Sequence, residues 1–449
     1  MSAKKSKRDL VVGLGASGRA AARFLARRGR RVVAVDESVS EALESISREL
    51  GEMGVETRLG TSDWPTDVDR VVVGPGVPIA KLEEHRRLRI PILGELELGC
   101  REVDVPIVAV TGTNGKSTVV TNIVKGLVSA GCRAEAAGNL GLPVTEWVDS
   151  GREVDRLVLE VSSYQLETVS KFHPHIAVVL NIAPDHLGRH GTLEDYLAAK
   201  SRITENQTID DALLLHRSLE AVPAVQKTRA RLYWAGREVP PSAEGLSLNR
   251  DGLTWRAAGV EWSRSVSLDS LFAHEIENLV VTAAVLHLAG LDPDDSARAF
   301  ENPIRLPHRI EPVGIVQDVR YINDSKATNV HAAVAALKSV PGPVVWLVGG
   351  RAKGEDLSPL VETAAEIRVA LAVCFGEDRR IFEAALKPRI RVKTASTLAE
   401  ACELAAGAAN RGDTVLLSPA AASFDEFVSF EDRGDRFKDW VERLRENAA

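Results

Sequence analysis

Short apolar runs that stop at glycine recur along the whole chain, with amphipathic stretches between them. A run of four to eight apolar, β-branched residues bounded by turn residues predicts a buried strand, whereas apolar residues three and four apart predict a helix. Residues 9–36 predict one such unit: DLVVGLG is a strand entering a turn, RAAARFLARRG a helix and RVVAVD a second strand. RVVVGPGV (70–77) repeats the strand and turn, and the acidic ELELGCREV predicts a helix. Residues 105–110 predict a fully buried strand, followed by a helix opening at Lys116 whose apolar face continues through Ile123, Val124 and Leu127. Further strands are expected within 155–167, ending near Glu160, and within 175–191, 344–350, 371–376 and 414–427. Helices are expected over 194–206, 274–291 and 397–410, and residues 207–272 mix short alternating strands with a turn at 249–252. Alternation of this kind predicts mostly parallel sheets flanked by helices.

Composition narrows the class without changing this picture. At 449 residues the chain is too long for one core and predicts two to four domains. A hydrophobic content of 45% with 27% charged residues describes an ordinary globular protein, and a net charge of −7 argues against nucleic acid as the main partner. Cys100, Cys132, Cys374 and Cys402 lack metal-ligand spacing and are expected to be reduced and buried. The basic start, MSAKKSKRD, reads as a solvated tail, and the longest apolar stretch, near 279–291, is too short to span a bilayer. The expectation is a cytoplasmic monomer with no membrane or nucleic-acid partner.

Candidate chemistry collects where strands end. In TGTNGKST, two glycines permit backbone geometry that a Cβ forbids, and Lys116, Ser117 and Thr118 open a helix. Backbone N–H groups, the positive helix end, a lysine and a hydroxyl able to hold Mg²⁺ make a triphosphate cradle, although Val110 stands where a strict P-loop has glycine. Glu160, ending a strand beside it, suits Mg²⁺, and His186, in the loop PDHLGRH, suits a metal or an anionic intermediate; His173, His175 and His190 are weaker candidates. Gly13, Gly15 and Gly18 with Asp36 complete a dinucleotide fingerprint; NAD or a UDP-linked ligand satisfies it equally. Lys200 reads as a solvated surface lysine. Asp324, Ser325, Lys326, Thr328 and Asn329 cluster before a helix, and Arg351, Lys353, Ser418 and Ser423 follow strand ends, where they suit a carboxylated small molecule. The fold class expected is α/β in three domains: N-terminal Rossmann-like (1–95), central P-loop ATPase-type with a mostly parallel sheet (96–305) and C-terminal Rossmann-like (306–449).

TGTNGKST, EVSS, the DHLxxHG loop, the lysine of AAKSRI, LPHR, NDSKATN, GGxxKG and SPAAASFDEF occur in one order, and in that order the chain resembles the Mur ligases of peptidoglycan precursor synthesis over nearly its whole length. The resemblance implies ATP-dependent amide formation through an acyl phosphate and a tetrahedral intermediate. The last four motifs imply UDP-N-acetylmuramoyl-L-alanine and D-glutamate as substrates. By position, Gly112, Thr113, Asn114, Gly115, Lys116, Ser117, Thr118, Asn278, Arg309, Asp324 and Lys326 resemble ATP contacts. Ser117, Glu160, His186 and Lys200 resemble the surroundings of two magnesium ions, with Lys200 matching a lysine that the family carbamylates. Ala16, Ser17, Asp36, Gly76 and Asn139 fall where the UDP-linked substrate is held, and Thr328, Lys353, Ser423 and Phe430 resemble glutamate contacts. Three departures stand out: Glu275 replaces the first asparagine of HNxxN, which is expected to weaken or reshape the adenine pocket, Gly188 replaces an aspartate, and Glu37 and Ser38 follow Asp36.

Overall fold

The computed structural model describes residues 8–222, 226, 228–269, 271–367 and 369–448, so the basic tail lies almost wholly outside the described residues. The chain divides into two compact units. One holds the residues up to Ile182, His186–Ser267 and Glu277–Pro303; the other gathers Ala183–Asp185, Leu268–Ile276 and the residues from Ile304 onward.

The first unit contains two sheets. Strands β1 (Arg8–Val12), β2 (Arg31–Asp36), β3 (Glu56–Leu59), β4 (Arg70–Val73) and β5 (Ile92–Gly94) form a five-stranded sheet in the order β3-β2-β1-β4-β5, parallel throughout. Side chains alternate across it: Val11, Val32, Ala34 and Val72 pack into one core, and Leu10, Val12, Val33, Val35, Val71 and Val73 into another. Both faces are therefore covered, which is why these strands read as continuous apolar runs. Gly18 lets the helix Ala16–Arg27 press onto the turn after β1, because a Cβ there would lie 1.7 Å from the Gly13 carbonyl oxygen.

The second sheet comprises β6 (Ile107–Thr111), β7 (Ala134–Gly138), β8 (Arg156–Glu160), β9 (Ile176–Val179), β10 (Ala212–His216), β11 (Arg231–Arg237), β12 (Gly245–Asn249), β13 (Gly252–Ala257) and β14 (Val260–Arg264). Its order is β14-β13-β12-β11-β10-β9-β6-β8-β7, parallel from β7 to β12 and closed by an antiparallel meander. Strand β7 was not expected, since Ala-Glu-Ala-Ala carries no β-branched or large apolar residue. Asp292 and Pro293, a pair that reads in sequence as a turn, start the short helix Pro293–Ala297, with Asp292 accepting from Asp295 N–H.

The helix Glu95–Cys100, expected from the acidic ELELGCREV, joins the two sheets by buried carboxylates. Glu97, fully buried, accepts from the backbone of Ser170, Lys171 and Phe172 at 2.9–3.1 Å and from Arg101. Glu95 accepts from the N–H and hydroxyl of Thr145 at 2.7 and 2.8 Å. Cut off from water, the Glu95 carboxyl is pushed up to about 7, whereas the backbone donors and Arg101 hold Glu97 below the usual carboxylate range against its desolvation.

In the second unit, β15 (Glu311–Val316), β16 (Val319–Asn323), β17 (Val344–Gly349), β18 (Leu371–Phe375), β19 (Val392–Thr394) and β20 (Thr414–Leu417) form a sheet in the order β15-β16-β20-β17-β18-β19. Only the β15–β16 hairpin is antiparallel. Trp346, Val348, Cys374 and Leu416 face one core, and Val345, Leu347, Phe375 and Val415 the other. The cysteine expectation holds for Cys374 and Cys402 but not for Cys100 and Cys132, which are partly exposed; all four are free thiols. Among the described residues no helix is long and apolar enough to cross a membrane.

Candidate functional site

Strand β6 runs between β8 and β9, and its C-terminal end delivers the glycine loop. Gly112 has φ +150°, where a Cβ would meet the Leu180 side chain at 2.9 Å, and Gly115 has φ +86° with Asn278 Oδ1 2.6 Å from the Cβ position. The loop is thus formed only by glycine at both places, and Asn278 packs against it. Val110 is buried core of β6, so the residue that departs from a strict P-loop lies in the sheet, before the loop begins.

Asn181, at the end of β9, clamps this loop and was not singled out by sequence. Its Oδ1 accepts from Asn114 N–H at 2.9 Å, its Nδ2 donates to Asn114 O at 3.0 Å, and its own carbonyl accepts from Thr113 N–H at 2.8 Å. Lys116 Nζ folds over the cradle and donates to the carbonyls of Gly112 and Thr113 at 2.9 and 2.8 Å. Ser117 and Thr118 begin the helix Lys116–Ser129 beside it, half-buried.

Register puts Glu160 directly across from Val110. Its side chain is 3% exposed; Asn139 Nδ2 donates to Oε1 at 2.6 Å, while the buried Oε2 has no hydrogen-bond partner among the described residues. An orphaned carboxylate oxygen beside a phosphate-type loop fits a divalent cation. Asn139, expected at the UDP-linked substrate, therefore also orients Glu160.

Lys200 corrects the surface reading. It is 1% exposed, because the helix Leu193–Ser201 turns Tyr196, Ala199 and Lys200 inward; Lys200 Nζ donates to Gly112 O at 2.8 Å, and Tyr196 Oη lies 3.2 Å from Thr113 Oγ1. Uniform helical polarity hid this, since the inward face mixes an aromatic, an alanine and a lysine. His186, by contrast, is exposed, at φ +57°, with its ring 5.0 Å from that of Tyr164. His190 sits behind, 3.0 Å from Ser163 Oγ, and burial lowers its affinity for a proton.

At the first sheet, Gly15 caps the helix Ala16–Arg27 with no atom within 4 Å of its Cβ position, leaving room above Ala16 and Ser17. Asp36 accepts from Leu14 N–H at 2.8 Å and Ser38 N–H at 2.9 Å, so its carboxylate also shapes the loop; further lone pairs remain for a ligand. Gly76 follows β4 with nothing within 4 Å of its Cβ position. Glu37 pairs with Lys81.

In the second unit, Asp324 is buried, accepts from Ser418 Oγ at 2.8 Å and Ile310 N–H at 3.2 Å, and desolvation pushes its carboxyl up to about 7 despite Arg309 and Arg433 nearby. Lys326 Nζ lies 3.6 Å from the Phe430 ring centroid, a cation–π contact. Lys353 Nζ reaches Asp185 at 3.4 Å, and Asp185 also accepts from Asn329 Nδ2 at 3.0 Å. Thr328 lies half-buried before Asn329, which caps the helix Val330–Ser339, and Ser423 is buried in the loop after β20. Glu275 is not a bare acid in a pocket: it pairs with Arg305 at 2.6 and 3.2 Å and accepts from Phe272 N–H at 2.8 Å. Its charge is met by Arg305, and its second oxygen also serves the N–H at its own helix start. Gly188 is exposed in the short helix Leu187–His190. Arg433, missed by sequence, is fully buried under these loops.

Parallel sheets with a glycine phosphate cradle, a buried acid across from it and polar loops at neighbouring strand ends define a nucleotide-using α/β protein. Comparison with known proteins narrows the class. Residues 7–94 match the MurD-like N-terminal domain of Mur ligases, residues 110–286 the Mur ligase middle domain and residues 308–421 the Mur ligase glutamate ligase domain. A protein of Acidobacterium capsulatum named UDP-N-acetylmuramoylalanine–D-glutamate ligase is 39% identical, over 99% of this chain and 98% of that one. The protein of the same name from Geobacter metallireducens is also 39% identical, over 98% of each chain. Among solved structures, a pseudomurein peptide ligase type C from Methanothermus fervidus shares the fold with TM-score 0.60 at 17% identity, over 98% of this chain and 100% of that one. MurF ligase from Thermotoga maritima does so with TM-score 0.59 at 16% identity, over 99% of each chain. The chain belongs to the Mur ligase family.

Proposed function

We propose that this chain is an ATP-dependent, amide-forming ligase that adds D-glutamate to UDP-N-acetylmuramoyl-L-alanine in the cytoplasmic synthesis of peptidoglycan precursors. The observation that carries the reading is the glycine cradle of 112–118 set against Glu160, whose buried Oε2 has no hydrogen-bond partner among the described residues. In the reaction, the terminal alanine carboxylate attacks the γ-phosphorus of ATP and ADP departs. The resulting acyl phosphate presents a carbon that the neutral glutamate amine attacks; the nitrogen gives up one proton, and the tetrahedral intermediate expels phosphate to leave an amide that keeps one N–H.

Charge neutralisation around the transferred phosphoryl group is the main demand on the protein. Gly112, Thr113, Asn114, Gly115, Lys116, Ser117 and Thr118 would cradle the phosphates, with Asn278, Arg309, Asp324 and Lys326 as further ATP contacts. Ser117, Glu160, His186 and Lys200 would hold two magnesium ions, which when bound supply positive charge to the phosphates. A carbamate on Lys200 keeps one N–H, so its bond to Gly112 can persist while the side chain gains a carboxylate. Ala16, Ser17, Asp36, Gly76 and Asn139 would hold the UDP-linked substrate; Thr328, Lys353, Ser423 and Phe430 would hold glutamate, Lys353 as the carboxylate partner. The three domains would be 1–95, 96–305 and 306–449, working as a monomer. Phosphate release is expected only when ATP, Mg²⁺, UDP-N-acetylmuramoyl-L-alanine and D-glutamate are all present. Release that does not depend on D-glutamate, or that L-alanine supports equally, overturns the reading.

A further inference from the structure

Arg433 is the most deeply placed charge in the second unit, with 0% exposure. Among the described residues its guanidinium makes no hydrogen bond to a carboxylate; instead Nε donates to Ser325 Oγ at 2.9 Å, and Nη2 to Ser325 O at 2.8 Å and Ala421 O at 3.2 Å. Nη1 donates to Ala421 O at 3.1 Å. Desolvation lowers its proton affinity, to about 10, with Asp425, Asp324 and Glu426 opposing the loss through their charge. A buried cation is expensive, and a buried hydrophobe would hold two loops together at lower cost. What a hydrophobe lacks is the planar fork, which fixes direction as well as distance.

The groups fixed are adjacent to the candidate site. Ser325 lies between Asp324 and Lys326, and its hydroxyl also donates to Phe430 O at 2.8 Å. Ala421 precedes Ser423 by two residues, on the loop that backs onto Gly350, where a Cβ would meet Ala422 O at 2.4 Å and Arg433 Nη1 at 3.2 Å. Phe430 in turn carries Lys326 on its ring. One side chain therefore ties the loop 324–329, the loop 418–423 and the start of the helix Phe430–Ala448.

We propose that Arg433 is a positioning residue for the amino-acid substrate: it sets Ser423, Phe430 and the 324–329 loop in the mutual geometry that receives glutamate. This rests on the ligase reading above, and it assigns a role to a residue that touches no substrate itself. The test is a set of three KM values (ATP, the UDP-linked substrate and D-glutamate) for the full chain and for Arg433→Lys, which keeps the charge and loses the fork, with folding followed by circular dichroism. KM for D-glutamate is expected to rise about tenfold or more, the loss of two or more charge-assisted bonds being divided between stability and geometry. KM for the UDP-linked substrate is expected to stay within about twofold, since its expected contacts lie on other loops. A fall in kcat matching the folded fraction, with all three KM values unchanged, would mean that Arg433 only holds the fold and overturns the proposal. If Arg433→Lys does not fold, Ser325→Ala, which removes one of its acceptors, decides by the same split. A wild-type chain without D-glutamate-dependent phosphate release would instead overturn the ligase reading.

Discussion

At the scale of the residue, the site depends on side chains whose partners are fixed before any ligand arrives. Asn139 holds one oxygen of Glu160 while the other, buried, has no hydrogen-bond partner among the described residues, so the acid is oriented without being neutralised. Glu160→Gln keeps that size and the acceptor for Asn139 while removing the charge. Magnesium needed for half-maximal phosphate release is expected to rise about tenfold or more, with the thermal midpoint nearly unchanged. An unaltered magnesium titration would remove Glu160 from the metal site. Glu275, the departure expected to weaken or reshape the adenine pocket, is itself paired with Arg305 and accepts from a helix-start N–H.

At the scale of the element, two glycines three residues apart do different work. Gly18 is where helix and strand meet, and Gly15, at an ordinary φ of −62°, faces open space. Gly18→Ala must displace the Gly13 carbonyl and is expected to cost about 1–3 kcal/mol of stability. Gly15→Ala is expected to shift stability by less than about 0.5 kcal/mol while weakening the UDP-linked substrate, whose backbone approach it would obstruct. Urea unfolding midpoints and substrate KM values of the two variants check both statements. Equal midpoints would refute the packing argument.

At the scale of the molecule, the two sheets of the first unit are held by buried carboxylates that respond to pH in opposite directions. Glu97 titrates below its unfolded value, so its contribution is present above pH ~4.5 and is lost as pH falls through the lower folded value. Glu95 titrates near 7, above its unfolded 4.5, so the folded chain binds the extra proton and stability falls as pH rises from 4.5 through 7. That loss amounts to a few kcal/mol at most, at roughly 1.4 kcal/mol per pH unit. Glu95→Gln keeps an acceptor for Thr145 without an ionisation. Between pH 5 and 8 its thermal midpoint is expected to fall less than that of the unaltered chain, and equal falls would show that Glu95 does not titrate there.

The central strands of each sheet were legible in the sequence because both their faces are covered, so they appear as apolar runs that end at glycine or polar residues, whereas β7 carries no such run. The glycine cradle was legible for the same local reason: Gly112 and Gly115 adopt positive φ within a stretch of seven residues. Lys200, Asn181 and Arg433 were not, because their importance comes from what lies opposite them, 88, 67 and 108 residues away in the chain. Sequence alone determined the strongly apolar strands and the glycine turns that end them, since those follow from local sterics and the period of apolar positions. Only the tertiary structure decided which charges are buried, because burial depends on the surface brought against a side chain. That is how a lysine that reads as solvated comes to lie buried against the glycine loop, and how an acid expected to disturb a pocket comes to be paired.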